Sequence, residues 1–145
     1  MPMWVEVGVT EYTKRLPAEF NLLIKEVPLA KRSKSYNIEK CINKEAESIL
    51  AKVNKNDHLV AMEVSGTKFD SPALAKRIGQ LRDQGRNISL MVGGPDGLAR
   101  SCLEQADEQW SLSALTLPHT LVRIILAEQL YRVWSLLIQH PYHRG

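Results

Sequence analysis

The chain has 145 residues, room for one domain, and its 44% hydrophobic and 24% charged residues are ordinary for a globular protein and far from a disordered or fibrous composition. Nineteen Lys and Arg against 16 Asp and Glu leave a net charge of +3, which admits a polyanionic partner without requiring one. Cys41 and Cys102 match neither a paired metal spacing nor a redox pair and read as reduced, half-buried thiols suited to a reducing cytosol; the start lacks the basic-then-apolar pattern of a signal peptide, and the longest apolar stretch, 121–138, is broken by Arg123, Glu128, Gln129 and Arg132, so no membrane span is expected.

Residues 3–15 carry Trp4, Val7 and Tyr12 at helical spacing and stop before Pro17, which predicts a first helix despite Gly8 inside it. In 20–27, Phe20, Leu22 and Ile24 alternate and Pro28 ends the run, which suits a strand. Residues 31–35 have no apolar side chain and read as a solvated loop. From Asn37 onward Ile38, Ile42, Ala46, Ile49 and Val53 share a helical face, and Asn54 and Asn56 follow as breakers.

Residues 59–64 form a compact apolar strand whose only charge is Glu63, and Ser65-Gly66 turns the chain into a loop. Asp70 offers a capping oxygen and Pro72 a helix start, so 72–84 reads as a helix burying Leu74, Ile78 and Leu81, with Gly85 as its left-handed cap. The continuous apolar run 88–92 is a strand covered on both faces. Helix and strand thus alternate three times, which predicts an α/β domain with parallel strands and crossover helices, with no repeat or linker dividing residues 1–145. The last helix, 121–139, is apolar in nearly every direction, with a narrow polar strip of Glu128, Arg132 and Ser135. A small domain has little interior to surround such a helix, which predicts a homodimer with this helix in the interface.

Three segments can carry chemistry. Gly93-Gly94-Pro95-Asp96-Gly97 follows a buried strand directly, where glycines let a ligand approach the backbone at the carboxyl edge of a sheet, although such a cluster also serves simply as a tight turn. It is neither a dinucleotide fingerprint nor a phosphate loop. Residues 110–119, WSLSALTLPH, can wall a flat apolar group such as an adenine through backbone amides and carbonyls, or can be a core strand. The terminal His140-Pro141-Tyr142-His143-Arg144 can stack on a base and neutralise phosphate, or can be a frayed tail. A zinc site from His119, His140 and His143 lacks a supporting spacing, so no metal is expected.

The GGPDGL stretch at 93–98, LSALTLPH at 112–119, the helix continuing through Arg123, Glu128, Tyr131 and Arg132, and the terminal HPYHR together resemble the signature blocks of the RlmH family, SPOUT-class enzymes that methylate N3 of a pseudouridine in large-subunit (23S) ribosomal RNA. Each block alone is weak, but their order and separation match over essentially the whole chain. The resemblance implies a SPOUT-type parallel sheet with flanking helices and a C-terminal deep trefoil knot, which ordinary connection rules would argue against. It also implies a homodimer, S-adenosyl-L-methionine as cofactor, a ribosomal RNA substrate on assembled ribosomes and a cytoplasmic location.

By the same resemblance Met62, Gly93, Gly94, Leu112, Ser113, Ala114, Leu115, Thr116 and Leu117 are the expected cofactor contacts, and Pro118 and His119 border the acceptor. Family members usually begin with a further apolar strand, absent here, whose lack would leave an edge or an apolar slot. Methylating N3 requires loss of its proton, so His143 or His119 is expected to take the proton, Arg144 or Arg123 to stabilise the imidate, and Tyr142 to stack on or orient the base. His119 can equally be a structural residue at the helix entrance. Lys31, Arg32 and Lys34 are a candidate RNA patch, or merely solvated charges. The competing reading is a non-catalytic ribosome or RNA-binding factor with the same fold, which cofactor binding would discriminate.

Overall fold

The structure, a computed structural model, describes residues 1–32 and 37–144, with the side chains of His143 and Arg144 outside that description; Lys34 of the expected basic patch lies outside it as well. In chain order the elements are α1 (Met3–Thr13), α2 (Ile38–Ala51), β1 (His58–Lys68), α3 (Ser71–Asp83), β2 (Ile88–Met91), α4 (Arg100–Gln105), β3 (Glu108–Ser111) and α5 (His119–Leu137), with 3-10 turns at Ala18–Phe20 and Pro141–Arg144.

The three strands form a parallel sheet in the order β2-β1-β3. The sheet has two apolar faces because successive β1 side chains point opposite ways. Val60 joins Trp110, Leu74, Ile78 and Leu81 of α3, and Leu126, Leu130 and Val133 of α5 in one core. Leu59 and Ala61 pack with Met91, Ala46 of α2 and Cys102 of α4 in the other. Both cysteines are free and buried, and burial pushes the Cys102 thiol pKa up, so it stays protonated.

The predicted helices over 38–53 and 72–84 and the strand at 88–92 are present within a few residues. The α3 start forms as expected, with the Asp70 carboxylate accepting the Ala73 amide at 2.8 Å, and Gly85 past its end has φ 72°. β1 runs longer than expected because Trp110 pairs with both Met62 and Thr67, a bulge that bends the strand back along β3.

Three expectations need correction. First, 20–27 is not a strand: a 3-10 turn ends at Phe20, and the residues after it pair with no strand. A strand exists only where a neighbouring backbone takes its hydrogen bonds, and between residues 19–27 and β2 lies a cavity of about 610 Å³. It is walled by Ile88, Leu90 and Met91, by Ile42 and Ile49 of α2 and by Leu126 and Leu130 of α5. β2 has no strand on that side among the described residues, so an edge and an apolar slot are both present. The third strand is instead β3, at 108–111.

Second, α1 buries Val5 and Val9 rather than Trp4 and Val7, which are 54% and 64% exposed. The reason is α5: Val5 and Val9 pack on Ala127, and Gly8 admits Ile124, whose Cδ1 would lie 2.8 Å from an added Cβ. Third, much of α5 is covered within the chain, by the sheet and α3 on one side and by α1 on another, with Leu121 and Leu137 left exposed. Its apolar circumference therefore does not by itself require a second subunit, and the larger exposed apolar surface lies on α1, at Met3, Trp4 and Val7.

β3 overlaps the start of the 110–119 run that could be a core strand, but it begins two residues earlier, at the polar pair Glu108-Gln109. Glu108 is acceptable in a sheet because Arg77 donates to it at 2.7 Å, the Trp110 indole donates at 3.0 Å, and the His58 imidazole lies against it. Burial alone would raise its pKa, but these hydrogen bonds win and hold it at about 2.

Leu81 is 1% exposed at the junction of α3 with the sheet. Leu81→Ala should cost about 2–5 kcal/mol in guanidinium unfolding, whereas Lys76→Ala on the solvent side of α3 should change stability by about 0.5 kcal/mol or less. Equal effects would contradict this packing.

Candidate functional site

Parallel strands leave their sheet on one side, and here β2 and β3 end level with the point at which β1 bulges. Met62 pairs with Trp110, and it lies one step beyond the Ala61–Met91 pair, level with Val92. Immediately past that line come the 93–97 turn after β2 and the 112–117 segment after β3. The fold thus brings Met62, Gly93, Gly94 and residues 112–117 to the carboxyl edge of the sheet, where α/β proteins bind ligands.

The turn is narrow. Gly97 donates its amide to the Gly94 carbonyl at 3.0 Å, and a Cβ on Gly93 would sit 2.5 Å from the backbone carbon of Gly97, a distance no side chain tolerates. Gly93 is therefore required for the turn to close. The 112–117 segment is braced by short-range bonds: the Ser111 hydroxyl donates to the Ser113 carbonyl at 2.8 Å, and the Leu115 amide donates to the Ser113 hydroxyl at 3.0 Å. The amides of Ala114, Thr116 and Leu117 have no protein partner among the described residues. Leu115 is 71% exposed, while Leu112 packs against the core. The large cavity is a different place: of the expected site residues it touches Gly94 and Arg123, and Met62 and residues 112–117 do not line it.

His119 is the first residue of α5, entered through Pro118. Burial lowers its pKa, and the positive charges of Arg123 and Arg32 lower it further against a smaller opposing pull from Glu45. A neutral imidazole at this edge can accept a proton. Arg123, one turn further, lies 3.4 Å from Glu26, which also meets the terminal amine at 3.2 Å.

The tail does not join this group within one chain. Tyr142 packs edge-on against Tyr131, with ring centroids 4.6 Å apart, and the Arg132 guanidinium lies 5.0 Å from its ring centre. Arg132 is 13 residues along α5 from His119, about 20 Å at the helical rise. His143 and Arg144 continue from Tyr142 in the last 3-10 turn, and their side chains lie outside the described residues. His140 lies tilted against Trp134 near the end of α5, with ring centroids 5.5 Å apart, far from His119. Among the described residues no group of three His, Cys, Asp or Glu is placed to hold a metal ion, and no helix is long and apolar enough to cross a membrane.

Arg32 also departs from its expected role. Instead of reaching out as part of an RNA patch, it is bound by Glu45 and Asp96 and is 17% exposed. Spacing carried no signal for this cluster, since its members are 13 and 64 residues apart from Arg32.

His119 should titrate below the ordinary imidazole midpoint of about 6.5 in a proton-detected NMR titration, and Arg123→Gln should raise the midpoint by removing a neighbouring positive charge. Because the folded value is the lower one, the unfolded chain takes the proton first. The stability contributed by neutral His119 is complete above the ordinary value and is lost as pH falls through the folded midpoint. An unchanged midpoint in Arg123→Gln would contradict the placement of the two groups.

Comparison with known proteins gives the family. The family described as Predicted SPOUT methyltransferase matches residues 1–143. Proteins named Ribosomal RNA large subunit methyltransferase H are similar over 144 residues, 99% of this chain: that of Saccharophagus degradans is 49% identical with 93% of its own length covered, that of Marinomonas sp. 51% with 93%, and that of Hahella chejuensis 49% with 92%. The chain belongs to the SPOUT methyltransferases, and within them to the group of the ribosomal RNA large subunit methyltransferase H (RlmH) enzymes.

Proposed function

We propose that this methyltransferase moves the methyl group of S-adenosyl-L-methionine to N3 of a pseudouridine in 23S ribosomal RNA, acting in the cytoplasm on assembled ribosomes. The observation that carries the reading is the convergence of the glycine turn, the 112–117 wall and a neutral His119 at one sheet edge.

The residues present suit this cofactor. The wall offers apolar side chains and unpartnered amides, which match an uncharged adenine, and the turn has no phosphate-binding lysine, which disfavours a nucleotide polyphosphate. Met62, Gly93, Gly94 and residues 112–117 would hold it. When bound, it would supply an electrophilic methyl on a sulfonium, which the acceptor nitrogen would take in line as the neutral thioether leaves.

The protein's own task is to align the acceptor and make N3 electron-rich. His119 takes the N3 proton, and Arg123 offsets the charge that develops on the flanking carbonyl oxygens. Tyr142, His143 and Arg144 belong to a second part of the site, which stacks on or orients the base and offsets its charge, with His143 as the other candidate for the proton. Tyr142 lies about 20 Å from His119 along α5 in one chain, so these groups meet in a homodimer in which the tail of one chain approaches the α5 entrance of its partner. The exposed Met3, Trp4 and Val7 supply apolar surface for that association. A C-terminal trefoil knot is part of the same reading, from the family resemblance.

Calorimetric titration with S-adenosylmethionine and S-adenosylhomocysteine, followed by labelled-methyl transfer to unmodified ribosomes and to a short stem-loop, tests the proposal. We expect saturable binding, label on a pseudouridine of the ribosomal substrate and poor transfer to the stem-loop. His119→Gln should slow transfer by about 10²-fold or more while leaving cofactor affinity unchanged. A folded protein that binds neither compound would point to a non-catalytic RNA-binding factor, and equal transfer to both substrates would contradict the ribosomal preference.

A further inference from the structure

The glycine turn is held from outside by a cluster that the proposed reaction does not use. Arg32 Nε donates to Asp96 Oδ2 at 2.8 Å, and Arg32 Nη1 donates to Glu45 Oε2 at 2.7 Å. Nη2 adds a contact to Glu45 Oε1 at 3.2 Å, and Nη1 also reaches the Ala30 carbonyl at 2.9 Å. Glu45 in turn accepts the Ala30 amide at 2.9 Å. Three separate pieces of chain are thereby tied together: residues 29–32, the middle of α2 and the tip of the 93–97 turn.

The side chains are mostly withdrawn from water, with exposures of 17% for Arg32, 7% for Glu45 and 23% for Asp96. A buried carboxylate at position 45 of an otherwise apolar helix face is unfavourable unless it is paired, so its partners are structural requirements. The tied segments also leave no room for a side chain at Gly94. A Cβ on Gly94 would lie 2.8 Å from Leu29 Cδ2 and 3.5 Å from Glu45 Oε1.

We infer that Arg32 is a positioning residue: its guanidinium fork, held on α2 by Glu45, grips Asp96 and fixes the glycine turn in the shape that receives the cofactor. Planar guanidinium makes both contacts at once, through Nε to one carboxylate and through the terminal nitrogens to the other. An ammonium group in its place has no such fork and cannot reproduce the bidentate contact to Glu45 together with the one to Asp96. The inference rests on the cofactor reading above for its consequence on binding, but the restraint on the turn is a property of the protein alone.

The test uses Asp96→Asn, Asp96→Glu, Arg32→Lys and Arg32→Met in the full chain, with two readouts. Hydrogen exchange of the Gly97 amide, which bonds the Gly94 carbonyl, reports turn order without ligand. Calorimetry with S-adenosylhomocysteine, well below each variant's melting temperature, reports affinity. Asp96→Asn and Arg32→Met should speed Gly97 exchange and weaken binding about tenfold or more, while core amides of β1 exchange as in the parent. Asp96→Glu should recover most of the affinity, and Arg32→Lys only part of it. Folded variants with parental Gly97 exchange and parental affinity would overturn the inference, as would a loss of affinity no larger in Asp96→Asn than in Asp96→Glu. If the parent protein itself fails to bind, the cofactor reading falls, and faster Gly97 exchange in Asp96→Asn still supports the clasp.

Discussion

Because β1 pairs in parallel with β2 on one side and with β3 on the other, the glycine turn after β2 and the 112–117 segment after β3 leave the sheet on the same side. Val60 pointing to one helical layer and Leu59 and Ala61 to the other hold the sheet between two cores, so the edge is a platform anchored by packed strands. The glycine turn, the 112–117 wall and the entrance of α5 inherit their relative positions from that register.

Charge is arranged around the platform in two clusters. At the start of β3, Glu108 is balanced by Arg77, His58 and the Trp110 indole, which lets a carboxylate sit in the sheet. At the other end, Arg32, Glu45 and Asp96 tie the glycine turn to α2, and Arg32 with Arg123 sets the field felt by His119. The first cluster secures the strand that carries the wall, and the second secures the turn that faces it. Both use arginine, whose fixed fork can satisfy a carboxylate without titrating at physiological pH.

Much of this was legible in the residues. α2, α3 and β2 announced themselves through amphipathic or continuous apolar patterns, and Asp70 and Gly85 marked the ends of α3 by the same chemistry the structure uses. β3 was legible only as the open alternative of a core strand over 110–119, and its start was not, because Glu108 is held by hydrogen bonds to Arg77 and His58, 31 and 50 positions away. The run at 20–27 alternates like a strand but faces a cavity instead of a backbone partner. α4 is a six-residue helix with no side-chain cap, too short for periodicity to show. In the site, the glycine turn and wall could be read from local pattern and resemblance, whereas the clasp on Asp96 could not, since pairing across the fold leaves no spacing rule.

On the proposed reading the ligand sits at the carboxyl edge, between the 93–97 turn and the 112–117 wall, and not in the larger cavity beside β2. Amide hydrogen exchange with and without S-adenosylhomocysteine measures this directly. The account predicts ligand-induced protection at Gly94, Gly97, Ala114, Thr116 and Leu117, with little change across residues 19–27. Protection concentrated on residues 19–27 and on Ile42 and Ile49, with the wall unaffected, would contradict it.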